Sequence, residues 1–366
     1  MKIGVPKESL SGEARVATTP EITQKLISKG FDVLIEKGAG IASHYTDDAY
    51  IEAGASIVDK ATALASDIVI KVRKPLVDEI NAMTDGAIAI SHIESCEDDD
   101  VHHVIAEKKI QFFAMELIPR ISRAQSMDAL SSQSNIAGYR AVLEAATHYG
   151  RFVPLMMTSA GSAKPARVIV LGVGVAGLQA IATARRLGAD VYAYDVRPEV
   201  NEQILSLGAK PIELDLGESG SGEGGYAKEL SDEAKQKQQQ LLAEELAKAH
   251  IIISTALIPC RPAPILISED VVKNMREGSV IVDLAAANGG NCPLSEKDKI
   301  VVKHGVIIIG HTNYPSMLPA DASSFYARNI ANLIDIMIEK SDAGLVFKNF
   351  EEDEITQAAL LKKTEA

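Results

Sequence analysis

The stretch Arg167-Val168-Ile169-Val170-Leu171-Gly172-Val173-Gly174-Val175-Ala176-Gly177 constrains the fold of this chain more than any other. An apolar, β-branched run ends in Gly-x-Gly-x-x-Gly. A helical segment, Leu178 to Leu187, follows at once, and a second strand, Asp190 to Tyr194, ends in Asp195. This order suits a dinucleotide site. Gly172 permits the tight turn, Gly174 lets the backbone approach a pyrophosphate, and Gly177 lets helix and strand pack closely. The helix N-terminus at Val175 and Ala176 offers N–H groups and a partial positive charge to phosphates. Three glycines alone would mark only a turn; the strand, helix and strand-end acid around them point to a cofactor.

Asp195, followed by Val196, lies near the ~20-residue spacing expected of an acid that bonds a ribose 2′-hydroxyl. A 2′-phosphate there would meet a like charge, at a cost on the order of 4 kcal/mol per pair at ~4 Å and an effective dielectric of ~20. These residues favour NAD(H). Arg197 leaves NADP(H) open, because a nearby Arg can accept a 2′-phosphate. As a solvated turn residue before Pro198, the reading preferred here, it would not.

With 366 residues, 46% of them hydrophobic, the chain can build two domains without metal or disulfide staples. A net charge of −13 and the lack of a Lys/Arg-rich run argue against a nucleic-acid face. Cys96, Cys260 and Cys292 show no Cys-x-x-Cys spacing, and His102-His103 reads as a helix surface, so no metal site is expected. Met1-Lys2-Ile3-Gly4-Val5-Pro6 lacks the apolar core of a signal peptide. Val168 to Ala184 falls short of the ~20 apolar residues of a membrane span and is broken by glycines.

Strands and helices alternate along the chain. Met1–Val5, Phe31–Ile35, Asp67–Val72, Ala87–Ile90 and Gln111–Leu117 read as strands; Pro20–Lys29 and Val101–Lys109 read as helices. Ser131–Tyr149 is helical and leads into the glycine-rich unit. Pro198–Leu207 is a helix, and His250–Thr255, Ser279–Leu284 and Gly305–Gly310 are strands. A helix from about Ser323 to Glu339 is apolar at Ile330, Leu333, Ile334, Met337 and Ile338, a core-facing spacing. The expected architecture is α/β, with two Rossmann-like doubly wound domains and a cleft between them. The first domain is discontinuous, 1–130 and 311–366; the second, 131–310, binds the nucleotide.

Two polar segments stand out. Gly217-Glu218-Ser219-Gly220-Ser221-Gly222-Glu223-Gly224-Gly225-Tyr226 is too flexible to fold by itself, and a long polar helix, about Ser231 to Ala249, follows it. It reads either as a surface linker or as part of a lid, about 216–228, with Tyr226 as its apolar latch. The segment from Pro119 to Gln133 carries hydrogen-bonding side chains and one candidate ion pair, Arg120 with Asp128. It reads either as a positioning loop or as a helix N-terminus capped around Ser126 or Asp128.

These motifs together resemble one family over nearly the whole length: the NAD(H)-binding component, the soluble portion of the alpha subunit, of proton-translocating NAD(P) transhydrogenase, in the alanine dehydrogenase/transhydrogenase family. The resemblance runs through Arg15-Val16-Ala17, Pro119 to Ser126, Ser134 to Arg140, Gly172 to Leu178, Gly224 to Lys228, Thr255 to Pro259, Val282 to Ala285 and Gly289 to Cys292. It implies that Arg120 and Asp128 hold the nicotinamide of NAD(H), that Ser131 bonds its carboxamide, and that Gln125 reaches the ribose of NADP(H) on a partner. It also implies nucleotide contacts from Asp195, Val196, Arg197, Tyr226 and Thr255-Ala256-Leu257, with Asp195 selecting NAD. The implied partners are an NADP(H)-binding domain and a proton-conducting membrane domain. The implied assembly is a homodimer, peripheral on the cytoplasmic face of the inner membrane. Hydride transfer between two nicotinamides needs no general acid or base, only two rings at near-attack distance.

Alanine dehydrogenase shares the pattern and is the competing expectation. Its substrate needs acid–base groups. In Lys71-Val72-Arg73-Lys74-Pro75, Arg73 stands where that family has a working Lys, and Arg keeps its charge near neutral pH. Glu94 stands at the catalytic His, with His92 displaced by two positions, and Ala287 stands at the catalytic Asp. Arg15, that family's carboxylate-binding residue, persists; here it can serve to tie loops together. A nucleotide sensor without catalysis would need the glycine loop, Asp195 and the lid but not Arg120, Gln125 and Asp128.

Overall fold

The structure is a computed structural model that describes residues 1–94, 100–214, 231–258, 260–342 and 344–361. It divides into two units, Met1–Gln133 with Pro315–Ala366, and Ser134–Tyr314. The joints expected from the sequence lie at 130/131 and 310/311.

In the first unit the elements are β1 (Lys2–Val5), α1 (Pro20–Lys29), β2 (Asp32–Glu36), α2 (Asp47–Glu52), β3 (Ser56–Val58), α3 (Lys60–Leu64), β4 (Ile68–Ile70), α4 (Val77–Ala82), β5 (Ile88–Ser91), α5 (Asp100–Glu107) and β6 (Gln111–Ala114). Their sheet has the order β3-β2-β1-β4-β5-β6, parallel throughout. That is a doubly wound order, whose direction of growth reverses beside the first strand. β4 and β5 are buried at every residue, as strands covered on both faces must be. Local signals set the helix ends. Thr19 caps α1 by accepting from the Ile22 amide, Pro20 opens the helix, and Gly30 at φ 106° closes it.

A helix α6 (Ala129–His148) and a short hairpin, β7 (Met156–Thr158) with β8 (Gly161–Ala163), come next. The second sheet then follows: β9 (Arg167–Leu171), α7 (Val175–Arg186), β10 (Asp190–Tyr194), α8 (Asn201–Ser206), β11 (Lys210–Pro211), α9 (Asp232–Ala247), β12 (Ile251–Ser254), α10 (Glu269–Asn274), β13 (Val280–Asp283), β14 (Ile300–Lys303) and β15 (Val306–Ile309). Its order is β11-β10-β9-β12-β13-β15-β14, with only β14 antiparallel among the described strands. The reversal lies between β9 and β12, beside the glycine turn.

The chain returns to the first unit as α11 (Pro319–Met337), a hairpin of β16 (Ile338–Ser341) and β17 (Gly344–Phe347), and α12 (Glu354–Ala359). Tyr326, Ile330, Leu333, Ile334 and Met337 of α11 lie in one core with Ile3, Val5, Val33 and Ile35 of β1 and β2. Ile355 and Ala359 join it, and the Leu361 amide bonds the Phe112 carbonyl at 2.8 Å. The segment from Phe350 to Leu361 is therefore part of the first unit.

Several other expectations are corrected. The strand expected over Gln111–Leu117 ends at Ala114 and passes into a 3-10 turn, Met115–Leu117. The last helix begins at Pro319 and gives way to strand at Ile338. Pro198–Val200 is a 3-10 turn before α8. No helix among the described residues is long and apolar enough to cross a membrane.

Candidate functional site

The glycine turn joins the end of β9 to α7. Gly172 has φ +86°, and a Cβ there would sit 2.9 Å from Thr255 Oγ1 and 3.0 Å from the Ala256 amide nitrogen. At Gly177 a Cβ would sit 2.0 Å from the Gly172 carbonyl oxygen, so helix and turn meet backbone to backbone. Gly138 of α6 makes a similar approach, with a Cβ 2.0 Å from the Ala176 oxygen. Gly174 differs. Its φ is −79°, and a Cβ there would meet nothing within 4 Å. It is the N-cap of α7, and no side chain caps that end. Room beside a helix N-terminus with uncapped amides is what an anionic pyrophosphate requires, so these residues fit a dinucleotide.

At the end of β10 the Asp195 carboxylate is already engaged. Oδ2 accepts from the Val173 amide at 2.6 Å and from Arg197 Nη2 at 2.8 Å; Oδ1 accepts from the Arg197 amide at 2.9 Å and its Nε at 2.8 Å. The expectation of a solvated Arg197 is thereby corrected: its side chain is 11% exposed and grips Asp195 with two nitrogens. The hydrogen bonds and charge of Asp195 raise the guanidinium pKa above its ordinary value. Arg197 stands within reach because the chain bends at Val196 and the Arg197 amide bonds back to the Asp195 carboxylate. Val196 packs against the core of this unit.

The end of β12 completes the rim. Thr255 donates its Oγ1 to the Gly172 carbonyl at 2.9 Å, and its amide bonds Leu171 O. Leu257 is exposed, at 45%. This edge is held by Asn291, a fully buried amide that falls within a motif of the sequence but receives no role from it. Its Oδ1 accepts from Ser254 Oγ and from the Ala256 amide, and its Nδ2 donates to the Ala256 and Pro264 carbonyls. Asp283, also fully buried, accepts from the amides of Ala285, Asn291 and Cys292 and from Ser295 Oγ. Together they brace the segment Thr255-Ala256-Leu257 from behind.

Gly172, Gly174, Val175, Ala176, Gly177, Asp195, Val196, Arg197, Thr255, Ala256 and Leu257 thus gather at the carboxyl ends of β9, β10 and β12. Arg120, Gln125, Asp128 and Ser131 belong to the first unit. Tyr226 and its loop lie outside the described residues.

In the first unit, Ser122–Met127 forms a 3-10 turn with Ala124 and Met127 buried and Gln125 exposed. Asp128 follows, and its two carboxylate oxygens accept from the Ser131 amide at 2.8 Å and the Ser131 hydroxyl at 2.5 Å. Asp128 thus caps α6. The candidate ion pair with Arg120 is not present among the described residues. Arg123 grips Asp353, at 2.6 and 2.9 Å, and so ties this turn to the start of α12.

The positions that separate the two sequence readings also lie in this unit, apart from Ala287. Arg15 is 4% exposed, with its guanidinium bonded to Glu13 at 2.8 and 2.7 Å and to Gln133 at 2.9 Å. Burial works against the charge on Glu13, but the hydrogen bonds and charge of Arg15 outweigh it and pull the carboxyl down to about 2. Arg73 is partly exposed, with Glu13 and Glu94 each 3.9 Å away. His92 sits with Nδ1 3.3 Å from Glu116 Oε2 and its ring 5.6 Å from that of Tyr326. Ala287 lies in the second unit, exposed in a 3-10 turn after β13. No cluster able to hold a metal ion occurs among the described residues.

Comparison with known proteins places this architecture. Residues 4–137 match the model for the alanine dehydrogenase/PNT N-terminal domain, and residues 141–365 match that for the C-terminal domain. The chain is 51% identical over 357 residues to the first of the chains that make up the NAD(P) transhydrogenase alpha subunit of Rhodospirillum rubrum, covering 95% of this chain and 93% of that one. A solved structure of transhydrogenase from Sinorhizobium meliloti matches with a TM-score of 0.89 and 44% identity, over 99% of this chain and 98% of that one. An alanine dehydrogenase of Staphylococcus saprophyticus is 30% identical over 91% of this chain and 86% of its own length. The chain belongs to the alanine dehydrogenase/PNT family and is a homologue of transhydrogenase alpha subunits, built around an NAD-binding, oxidoreductase-type Rossmann unit.

Proposed function

We propose that this chain is the NAD(H)-binding component of a proton-translocating transhydrogenase. The observation that carries the reading is the glycine turn: an open Gly174 at an uncapped helix start, with the Asp195 carboxylate beside it. The amides from Gly174 to Ala176 hold the pyrophosphate. Asp195 accepts from the adenosine ribose, with Val196 and Arg197 beside it. Thr255, Ala256 and Leu257 line the approach to the nicotinamide half. Arg120 and Asp128 orient the nicotinamide, and Ser131 bonds its carboxamide. Gln125 meets the ribose of NADP(H) carried by a partner domain, and Tyr226 closes over the nucleotide.

The chemistry supplied by the bound nucleotide is a hydride that passes to NADP⁺ on the partner, yielding NAD⁺ and NADPH. No proton enters or leaves at that step, so this chain needs only to bind, orient and exclude water. Proton translocation belongs to a membrane component. The chain works as a homodimer on the cytoplasmic face of the inner membrane, held there by those partners. Arg73, Glu94 and Ala287 support this choice over alanine dehydrogenase chemistry: the three positions depart together from the Lys, His and Asp of that family, and neither Arg73 nor Ala287 can carry a proton step near neutral pH.

The test is hydride transfer from NADH to an NADP⁺ analogue, with and without a purified NADP-binding transhydrogenase domain and with pyruvate and ammonium omitted. Fast transfer only with both proteins present is expected. No transfer with a folded, loaded partner would return the chain to alanine dehydrogenase chemistry or to a sensor.

A further inference from the structure

Two asparagines on α11 converge on one carbonyl of the Gln125 turn. Asn329 Nδ2 donates to the Ser126 carbonyl at 2.9 Å, and Asn332 Nδ2 donates to the same oxygen at 3.0 Å. They stand three residues apart on one helix and so share a face. Both lone pairs of that oxygen are thereby used. Asn329 also works in the other direction: its Oδ1 accepts from Ser132 Oγ at 2.7 Å. One side chain therefore ties residue 126 to residue 132, across the segment that contains Asp128 and Ser131. Asn329 is 6% exposed and stands between core residues of α11, at a position where a hydrophobic side chain would pack and Asn is a weak helix former. A buried amide with its partners on a different segment sets position more than it adds stability.

We propose that Asn329, seconded by Asn332, is a positioning residue for hydride transfer that holds Gln125 and Asp128 in fixed relation. This role rests on the functional reading above. Gln125 is exposed and makes its proposed contact only with the partner's nucleotide, so the main chain at 125–126 must be in place beforehand. A displacement of ~1 Å at a reacting pair can cost ~100-fold in rate.

The experiment uses the full chain with a loaded NADP-binding domain and four variants: Asn329→Asp, Asn332→Ala, Gln125→Asn, and Gln125→Asn combined with Asn329→Asp. Asn329→Asp keeps the acceptor for Ser132 and loses the donor to Ser126. The readouts are the transfer rate at saturating nucleotides and the NADH Kd from equilibrium dialysis. The expected result is a transfer rate lowered ~10-fold or more in Asn329→Asp and ~2–5-fold in Asn332→Ala, with the NADH Kd within ~2-fold of wild type. Adding Gln125→Asn to Asn329→Asp should cost far less than it costs alone, because both act through one arrangement. Full additivity, an unchanged rate, or NADH Kd and rate failing together would overturn the proposal. Asn332→Ala carries the test if Asn329→Asp does not fold. Wild-type chain that transfers no hydride would overturn the functional reading, and this role with it.

Discussion

Gly174 and Gly177 differ by three positions and should fail in opposite ways. At Gly174 the backbone lies at φ −79°, ψ −165°, open to any residue, and an added Cβ meets nothing within 4 Å. Gly→Ala there costs roughly 0.5–1 kcal/mol as a poorer N-cap. It recovers roughly 0.4–1 kcal/mol through a stiffer unfolded chain. The net change in stability is then within about 1 kcal/mol of zero. On the proposed reading, the methyl group stands where the pyrophosphate would bind. Losing the equivalent of two charge-assisted amide–phosphate bonds, at roughly 1.5 kcal/mol each, gives about 3 kcal/mol. That is about a 100-fold rise in NADH Kd. At Gly177 the same methyl lies 2.0 Å from the Gly172 oxygen, a backbone atom that cannot step aside. Gly177→Ala should lose about 1–3 kcal/mol or more of stability with no ligand present. Urea unfolding and equilibrium dialysis of NADH on both variants provide the comparison. A Gly174→Ala protein that binds NADH within about threefold of wild type would refute the assignment of that space to the phosphates.

Other perturbations follow from the same geometry. Gln125→Asn should leave NADH affinity near normal and slow transfer strongly; an unchanged rate counts against its proposed contact. Arg197→Met should widen the preference for NADH over NADPH, because a bare Asp195 opposes a 2′-phosphate by on the order of 4 kcal/mol at ~4 Å before screening. Improved NADPH binding in that variant would show that Arg197 does not compensate Asp195. In acid, Glu13 and Glu79 matter. Both carboxyls are held at about 2, Glu13 by Arg15 and Glu79 by the Lys71 charge and by bonds from Lys60 and Ser9, each against the opposing effect of burial. A lowered folded pKa contributes stability that is complete above the ordinary carboxylate range and is lost as pH falls toward 2. Burial raises the pKa of Glu8 and partly offsets the loss. Unfolding measured from about pH 5 to about pH 2.5 should show a shallower slope in Glu13→Gln than in wild type; equal slopes would remove Glu13 from the account.

The buried parallel strands are legible in the sequence because they must be apolar on both faces, and runs such as Ile251-Ile252-Ile253 leave little choice. β3 and β11 are not, since edge strands this short leave no room for a periodicity, and neither is β14, whose burial alternates while its sequence Ile300-Val301-Val302-Lys303 does not. The 3-10 turn after β6 is hidden because Met115 is as buried as the strand before it. In the candidate site, glycines declare themselves through spacing. Arg197 does not, because a residue two positions from its carboxylate partner can as easily face water, and only the bend at Val196 decides. Asn291 and Asn329 are beyond reach: each acts on chain segments far away in sequence, and an amide inside an apolar helix or loop looks like any other polar residue until its partners are placed.

The order in which the chain is made gives the two units unequal fates. Ser134–Tyr314 is contiguous and can close as soon as it has emerged during synthesis. The unit containing β1 cannot, because Tyr326, Ile330, Leu333 and Ile334 arrive only after the second unit is made and pack in one core with Ile3, Val5, Val33 and Ile35. Through all the intervening elongation that sheet waits with one apolar face covered only in part, by Ile22 and Leu26 of α1. A ribosome stalling between the two halves, or a nonsense codon before Pro319, would release a finished nucleotide unit attached to an adhesive, half-built one. Such a product is a substrate for chaperones and proteases, even though every residue of its glycine turn is intact.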